Sequence, residues 1–375
     1  HLFEVTVDTR KNEPLVLRDE KVEWEPAHGT RVEIELQAIY KKGRRSVDDY
    51  VEQTALANPH AEIHYHAPGA EPIVYARAVS ELPTEPREIK PHPYGVELGM
   101  LMRMLQDTTA RTLSAALKQD FSRVTDKVVA EVTKAAGLKP ENRPRNLDRA
   151  AVERLHRALQ AVKLMAPPTN CLSPIGAEAI VAGLRKRFQA EHLDAVTRPP
   201  AVYRGNPFQV EAGLAYGGSL SADDLAEVFR LANRVPLQYQ ASACAITKAV
   251  LTVDWRGYGL QMSRGALPTG PMVLMVHIAS VWVPFTSESK EAVAHYPEIV
   301  KELRLALMEL GRRLASHIRR RRRVADEVKK RSYIDKFIPH IGIALKEILA
   351  LNDKQETRVV ATLRDTLERS REKHL

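Results

Sequence analysis

KPHPYGV at Lys90–Val96, NCLSPIGAEAIVAG at Asn170–Gly183 and GNPFQVEAGLAYGG at Gly205–Gly218 decide how this chain folds. None has the periodicity of a plain helix or strand. Each sets Pro, Gly and Asn among apolar residues, so each must fix an unusual backbone path. Working outward, the region between the first two is helical. Leu98, Leu101, Met102 and Leu105 mark one short helix, and Leu113, Leu117 and Phe121 a second. Val128, Val129 and Val132 mark a third, closed by Gly137 with Pro140 following, a helix stop signal. Val152, Leu155 and Leu159 mark a fourth. Helices this short bury little alone and must pack on one another.

After Cys171 the pattern is mixed. Ser173 before Pro174 reads as a helix start, a capping hydroxyl followed by a residue whose missing N–H costs nothing there. Strands are expected near Ala201–Tyr216 and Ala226–Pro236, and a helix near Ala243–Leu251. Met272–Pro284 (MVLMVHIASVWVP) is apolar on both faces and reads as a strand central to a sheet. Ile299, Leu303, Leu307, Leu310, Leu314, Ile318, Val324 and Val328 then keep helical spacing, which predicts one helix over 297–331, roughly 50 Å at 1.5 Å per residue. A shorter helical tail with Ile341, Leu345 and Ile348 on one side closes the chain.

Upstream, residues 1–88 read as α+β. Arg31–Tyr40 (RVEIELQAIY) alternates as a strand does. Ser46 and Asp49 form an S-x-x-D cap for a helix ending at Asn58-Pro59, and His60–Val79 reads as a hairpin around Pro68-Gly69. Leu82–Pro93 holds four prolines and reads as a linker. The N-terminus begins in what reads as a strand, so the expectation is a chain that starts partway through a domain.

Composition bounds the function classes. Within 375 residues, 44% are hydrophobic and 27% charged, ordinary for a globular protein of two or three domains. No apolar run approaches the roughly 20 residues of a bilayer span, and HLFEVTVDTR lacks the shape of a signal peptide. Cys171 and Cys244 are far apart, which argues against a disulfide framework or a thiolate zinc site and fits a reducing compartment. The net charge is +9, and residues 301–331, with twelve Lys/Arg against four Asp/Glu, carry nearly all of it. That concentration is the footprint of a polyanion partner.

The three opening segments, with RLANRVPLQY at Arg230–Tyr239, resemble the B subunits of DNA topoisomerase VI in that family's order and rough spacing. The likeness runs from about His1 to the start of the basic helix near Pro297. It implies an α+β chain made of the end of a GHKL (Bergerat) ATPase domain over 1–88, a helix-two-turns-helix domain over 89–170, an α/β transducer with a ribosomal-protein-like fold over 171–331 whose lever helix is 297–331, and a helical tail over 332–375. The implied function is that of an ATP-hydrolysing type IIB topoisomerase, active only with its A subunit, which passes one DNA duplex through another and so relaxes and decatenates DNA. Its implied partners are the A subunit, double-stranded DNA and a second B subunit in an A2B2 heterotetramer, in the cytoplasm or, in a eukaryote, the nucleus.

The resemblance also assigns roles. Lys290, in PFTSESKEAVA, reads on position alone as a solvated surface cation, or as one opposing the dipole of the helix that follows. In the family, a lysine from this loop reaches the terminal phosphate of ATP, and Lys290 occupies the matching place. Thr30, in HGTRVEIEL, matches a Gly-Thr that supports adenine binding in GHKL domains; by itself it is a β-branched residue at a strand start. ATP and Mg2+ are the implied cofactors, with the other ligands expected upstream of His1. No GxxxxGK[ST] loop stands in for them.

Lys41, Lys42, Arg44 and Arg45 crowd a turn that leads into a helix N-terminus, where side-chain charge and free N–H groups both attract anions. A solvated basic turn fits the pattern equally well. The family has a Lys-Gly-Arg-Arg-Tyr loop here that touches DNA; Lys42–Arg45 match it, and Ser46 replaces the tyrosine. Trp255, Arg256 and Tyr258 match a family Trp-Lys-x-Tyr element that senses DNA, or are aromatics packed at a strand edge. Arginine in place of lysine alters its hydrogen-bond geometry. Arg319, Arg320, Arg321, Arg322 and Arg323 point in all directions around a helix, which suits diffuse attraction to a polyanion rather than one specific contact.

His60, His64 and His66 lack a further ligand at close spacing, so no metal is expected. Asp48-Asp49 and Asp223-Asp224 are better explained by helix N-termini than by paired acid–base catalysis. With no nucleophile–His–acid arrangement, a residue that cuts DNA belongs to another chain. Two other readings stand beside the topoisomerase: a B-like scaffold that does not hydrolyse ATP, and an RNA-binding structural protein.

Overall fold

The computed structural model describes residues 1–8 and 13–372, with backbone alone for 327, 328, 330–333, 335 and 367–372. Two compact units are present, His1–Lys41 and Lys42–Leu375. The first carries an antiparallel ribbon, β1 (Leu2–Asp8) with β2 (Glu13–Glu20), whose register slips between Glu4 and Val5. The expected strand at Arg31–Tyr40 does not form. Its alternation is intact, but no neighbouring strand completes a ladder among the described residues, and Val32, Ile34, Leu36 and Ile39 are exposed.

In the second unit the S-x-x-D cap is realised. Helix α1 (Val47–Ala57) starts at Ser46, whose Oγ accepts from the Asp49 N–H at 3.2 Å. The hairpin follows as β3 (Ile63–Tyr65) and β4 (Ile73–Tyr75). The four short helices are α2 (Leu98–Asp107), α3 (Leu113–Asp120), α4 (Asp126–Ala136) and α5 (Arg149–Ala161). They share a core of Leu101, Leu105, Leu117, Phe121, Val132 and Leu155. Gly137 ends α4 at φ 66°, a left-handed cap that a Cβ would strain.

Helix α6 (Ala177–Arg187) starts from Gly176, not from Ser173-Pro174. The Ser173 hydroxyl is used elsewhere, donating to the Thr84 carbonyl at 3.0 Å. A six-stranded sheet follows, built from β5 (His192–Thr197), β6 (Ala201–Tyr203), β7 (Asn206–Tyr216), β8 (Glu227–Ala232) and β9 (Val235–Pro236). Helix α7 (Ala245–Thr252) and a small ribbon, β10 (Gln261–Met262) with β11 (Pro268–Thr269), precede its last strand, β12 (Met272–Ser280). The order is β5-β7-β12-β8-β9, with β6 beside β7. β12 runs antiparallel to β7 and parallel to β8, and all nine of its residues are buried.

Both faces of β12 are covered, as its unbroken apolar sequence demands. Leu274, Val276 and Ile278 face a core shared with α7 and α8 (Pro297–Leu349), while Val273 and Met275 face α1 and α6. Full burial of each such side chain is worth about 1.5–3 kcal/mol.

Helix α8 is longer than the 297–331 expected. It runs 53 residues, about 80 Å, and takes in Ile341, Leu345 and Ile348, which were expected in a separate tail. Ile299, Leu303, Leu307, Leu310, Leu314 and Ile318 are buried on the sheet; Val324 is exposed, and the side chain of Val328 lies outside the described residues. The true tail, α9 (Asp353–Glu372), turns at Ala350 (φ 50°) and folds back on α8, with Glu356 2.9 Å from Lys346. Among the described residues, no helix is long and apolar enough to cross a membrane.

Candidate functional site

The basic turn is a rigid piece of backbone. Gly43 (φ 117°) and Arg45 (φ 63°) both take left-handed conformations, and the Ser46 N–H closes the turn on the Gly43 carbonyl at 3.2 Å. Asp49 ties the turn to the helix, its Oδ2 accepting from the Arg45 N–H at 2.8 Å. Lys42, Arg44 and Arg45 are exposed and form no ion pair among the described residues. The charge of Arg44 is felt at Glu227 on β8, where it opposes the upward push of burial on that carboxyl. Lys41, also exposed, is the last residue of the first unit.

The Lys290 loop is equally well built. It leaves the sheet after β12 and returns through a bridge between Phe285 and Val293. The Thr286 N–H reaches the Ala292 carbonyl at 2.9 Å, and the Ala294 N–H reaches that of Pro284 at 2.7 Å. Below, the Ala245 N–H that opens α7 donates to the Val293 carbonyl at 2.8 Å. Ala292 and Val293 are buried, and Lys290 stands exposed at the tip with φ 55°. It precedes the first residue of α8, Pro297, by nearly two turns' length of chain, so it does not oppose that helix's dipole. A φ in this region is costly for a non-glycine residue and is held by the surrounding loop.

These two features are joined. Between β9 and α7, three consecutive residues reach both ways. Gln238 Nε2 donates to Asp49 Oδ2 at 3.2 Å and lies 3.4 Å from the Ser46 carbonyl. The Tyr239 hydroxyl is 3.5 Å from the Arg45 carbonyl. Gln240, itself left-handed at φ 48°, donates from Nε2 to the Glu291 carboxylate at 2.6 Å. The other end of α1 is held by Arg234, whose guanidinium donates to the carbonyls of Ala57 (3.3 Å) and Pro174 (2.9 Å). Sequence reading singled out Arg230–Tyr239 as a segment, but not these contacts. The signal was the run of hydrogen-bonding side chains in NRVPLQYQ, which no local element uses.

Arg234 rests on a buried pair that sequence reading also missed. Its N–H donates to His277 Nε2 at 3.0 Å, so His277 is protonated on Nδ1, which lies 2.8 Å from Glu211 Oε2. Both side chains are fully buried, on directly paired positions of β7 and β12. The Glu211 carboxylate also accepts from the Ile175 and Gly176 N–H groups at 2.7 and 2.8 Å, and from the Thr197 hydroxyl at 2.8 Å. Burial alone would push this carboxyl up. The His277 contact, the Ile175 N–H and the Thr197 hydroxyl together outweigh it and hold the carboxyl below its ordinary range. Glu211 thereby supplies the acceptor that α6 needs at its start.

The Trp255–Tyr258 element sits on the opposite face of the sheet, under α8. Trp255 is fully buried, and its Nε1 donates to the Val250 carbonyl at 2.9 Å. It has no surface to offer DNA and leaves the set of candidate contacts. Tyr258 meets Trp255 edge-on at 6.1 Å and packs against Gly311 of α8. Arg256 is exposed, and its Nε donates to the Met262 carbonyl at 2.7 Å. Arg319–Arg323 begin where α8 leaves the core after Ile318 and are all exposed; Arg321 pairs with Glu191 at 2.5 Å. Thr30 is exposed in irregular backbone of the first unit, not at a strand start. Among the described residues, no group of three His, Cys, Asp or Glu is placed to hold a metal ion.

Comparison with known proteins bears on this geometry. Residues 167–330 match the family model described as topoisomerase VI B subunit, transducer. The B subunit of type 2 DNA topoisomerase 6 from Methanococcoides burtonii is 44% identical over 368 residues, covering 98% of this chain and 59% of that protein. The protein of the same name from Methanosarcina acetivorans is 42% identical with the same coverage. That from Thermococcus sibiricus is 34% identical over 410 residues, covering 96% of this chain and 71% of that protein. The chain thus spans 59% of the length of the first two relatives. With a match of this extent beside a transducer model laid over the sheet and the first part of α8, the chain belongs to the topoisomerase VI B-subunit family.

Proposed function

We propose that this chain is the force-transmitting part of an ATP-dependent type IIB topoisomerase. In this reading 1–88 is the end of a GHKL ATPase domain, 89–170 a helix-two-turns-helix domain and 171–331 the transducer, with α8 as its lever. The observation that carries it is the placement of Lys290. A cation without an ion-pair partner among the described residues stands at the tip of a braced loop. That loop joins the most buried strand of the sheet to the start of an 80 Å helix, about the span of 53 residues. Such a cation fits a terminal phosphate, while Thr30 stands exposed in irregular backbone. ATP with Mg2+ would supply the free energy of phosphate release. Lys290 would bind that phosphate, and its loop would pass the change to β12 and α8.

DNA duplexes would be met by Lys42, Arg44 and Arg45, and by the exposed arginines of α8, through phosphate contacts that position without reading sequence. The A subunit would make the double-strand break, and two B subunits would close over the passing duplex in an A2B2 assembly, in the cytoplasm or a nucleus. The test combines the full natural gene product with its A subunit and supercoiled plasmid. ATP-dependent relaxation, reduced at least tenfold by Lys290→Ala with DNA binding intact, is the expected result. Unchanged relaxation by Lys290→Ala removes the assignment. Absence of any relaxation, with a stable complex formed, makes the chain a scaffold.

A further inference from the structure

Gln238, Tyr239 and Gln240 are placed as no ordinary connection requires. The chain could pass from β9 to α7 with these side chains in water. Instead they touch two structures far apart in sequence. On one side is Asp49, whose single oxygen Oδ2 accepts from both the Arg45 N–H (2.8 Å) and Gln238 Nε2 (3.2 Å). Any shift of the basic turn therefore moves an atom that Gln238 holds. On the other side Gln240 grips Glu291 at 2.6 Å, a charge-assisted bond to the residue adjoining Lys290. Gln240 is fixed in a left-handed conformation, which leaves this three-residue link little backbone freedom to absorb a displacement.

We propose that Gln238–Gln240 is the element that couples occupancy of the basic turn by DNA to the position of the Lys290 loop, with Gln238 and Gln240 as positioning residues. This rests on the reading above, in which the turn meets DNA and Lys290 meets the terminal phosphate. Phosphates that engage Lys42 and Arg44 pull on the turn, Asp49 moves with the Arg45 N–H, and Gln238 follows. Gln240 then shifts Glu291 and with it the tip of the loop. The route requires no rearrangement of the sheet, because Val293 and Ala292 anchor the loop base in the core. By reciprocity, a loop held by nucleotide raises the affinity of the turn for DNA by the same factor.

The experiment uses the full natural gene product with its A subunit and three readouts: affinity for a short DNA duplex at fixed salt, ATP hydrolysis without DNA, and ATP hydrolysis at saturating DNA. Gln238→Ala and Gln240→Ala are expected to leave the first two essentially unchanged and to remove most of the DNA-stimulated increment. Gln240→Glu sets a carboxylate against Glu291 and should behave likewise. Adding Glu291→Gln to it re-forms the bond with the roles exchanged and should restore the stimulation. A purely structural role would instead lower basal hydrolysis or duplex affinity in the single variants.

Stimulation that survives in both alanine variants overturns the proposal, as does wild-type hydrolysis that DNA does not stimulate. Failure of the underlying reading has a different signature. Lys42→Ala with Arg44→Ala would then leave DNA affinity unchanged, or Lys290→Ala would leave hydrolysis unchanged, whatever the glutamine variants do.

Discussion

The ring of Tyr258 occupies the space where residue 311 of α8 would carry a Cβ. Gly311 lies in a helix interior, where glycine costs about 1 kcal/mol relative to alanine. The packing of Tyr258 explains its presence. Gly311→Ala should lower the thermal midpoint, because the ring has to move and overpacking costs about 1–3 kcal/mol. In a Tyr258→Ala background the same substitution should become neutral or stabilising by up to about 1 kcal/mol. Thermal unfolding of the four variants measures the coupling, and equal effects in both backgrounds would show that the contact carries no energy.

Trp255→Ala should cost about 3–5 kcal/mol, since the side chain is fully buried and its N–H is satisfied internally. Trp255→Phe should cost less and leave duplex affinity per folded molecule unchanged. A fall in affinity at constant folded fraction, measured by anisotropy alongside circular dichroism, would return Trp255 to the DNA surface.

Lys42→Ala and Arg44→Ala should each flatten the dependence of duplex affinity on salt. Each lost phosphate contact lowers the slope of log K against log salt by about 0.9. The loss should be the same for unrelated DNA sequences. A sequence-dependent loss would mean that the turn reads bases.

Glu211 predicts a pH dependence of stability. Its carboxyl titrates lower in the folded chain than the ordinary 4.5, so the ionised form stabilises the fold. That contribution is complete above the unfolded value and is lost as pH falls from there through the lower folded value. Glu211→Gln should flatten this acid limb in denaturant titrations. At neutral pH it should cost about 1–3 kcal/mol for each N–H left without an acceptor. An unchanged acid limb would remove Glu211 as its source.

Much of this architecture was legible because its cause is local. Met272–Pro284 is apolar on both faces, and β12 is covered on both; Ser46, Asp49 and Gly137 cap the helices their spacing announces. The failures have causes that are not local. Arg31–Tyr40 alternates perfectly well, but a strand exists only where a neighbour completes its ladder. The spacing carries α8 through the arginine run to Val328; its continuation past Arg331 was not legible, because Pro339, of a residue type that ordinarily breaks a helix, lies inside it. Trp255 and Tyr258 read alike until α8 is laid over them. The reach of Gln238 to Asp49 spans 189 residues, and no pattern in one sequence marks such a pair.

Among the described residues, helix α8 has its last residue in the core it shares with the sheet at Ile318. From Arg319 to Leu349 it continues for about 45 Å, against about 30 Å for the docked portion. That ratio is a gearing. A rotation of about 10° at the sheet sweeps the far end through about 8 Å, and α9, doubled back on that end, braces it against bending. Movements of side-chain size at one end of such a rod become movements nearly the width of a helix at the other.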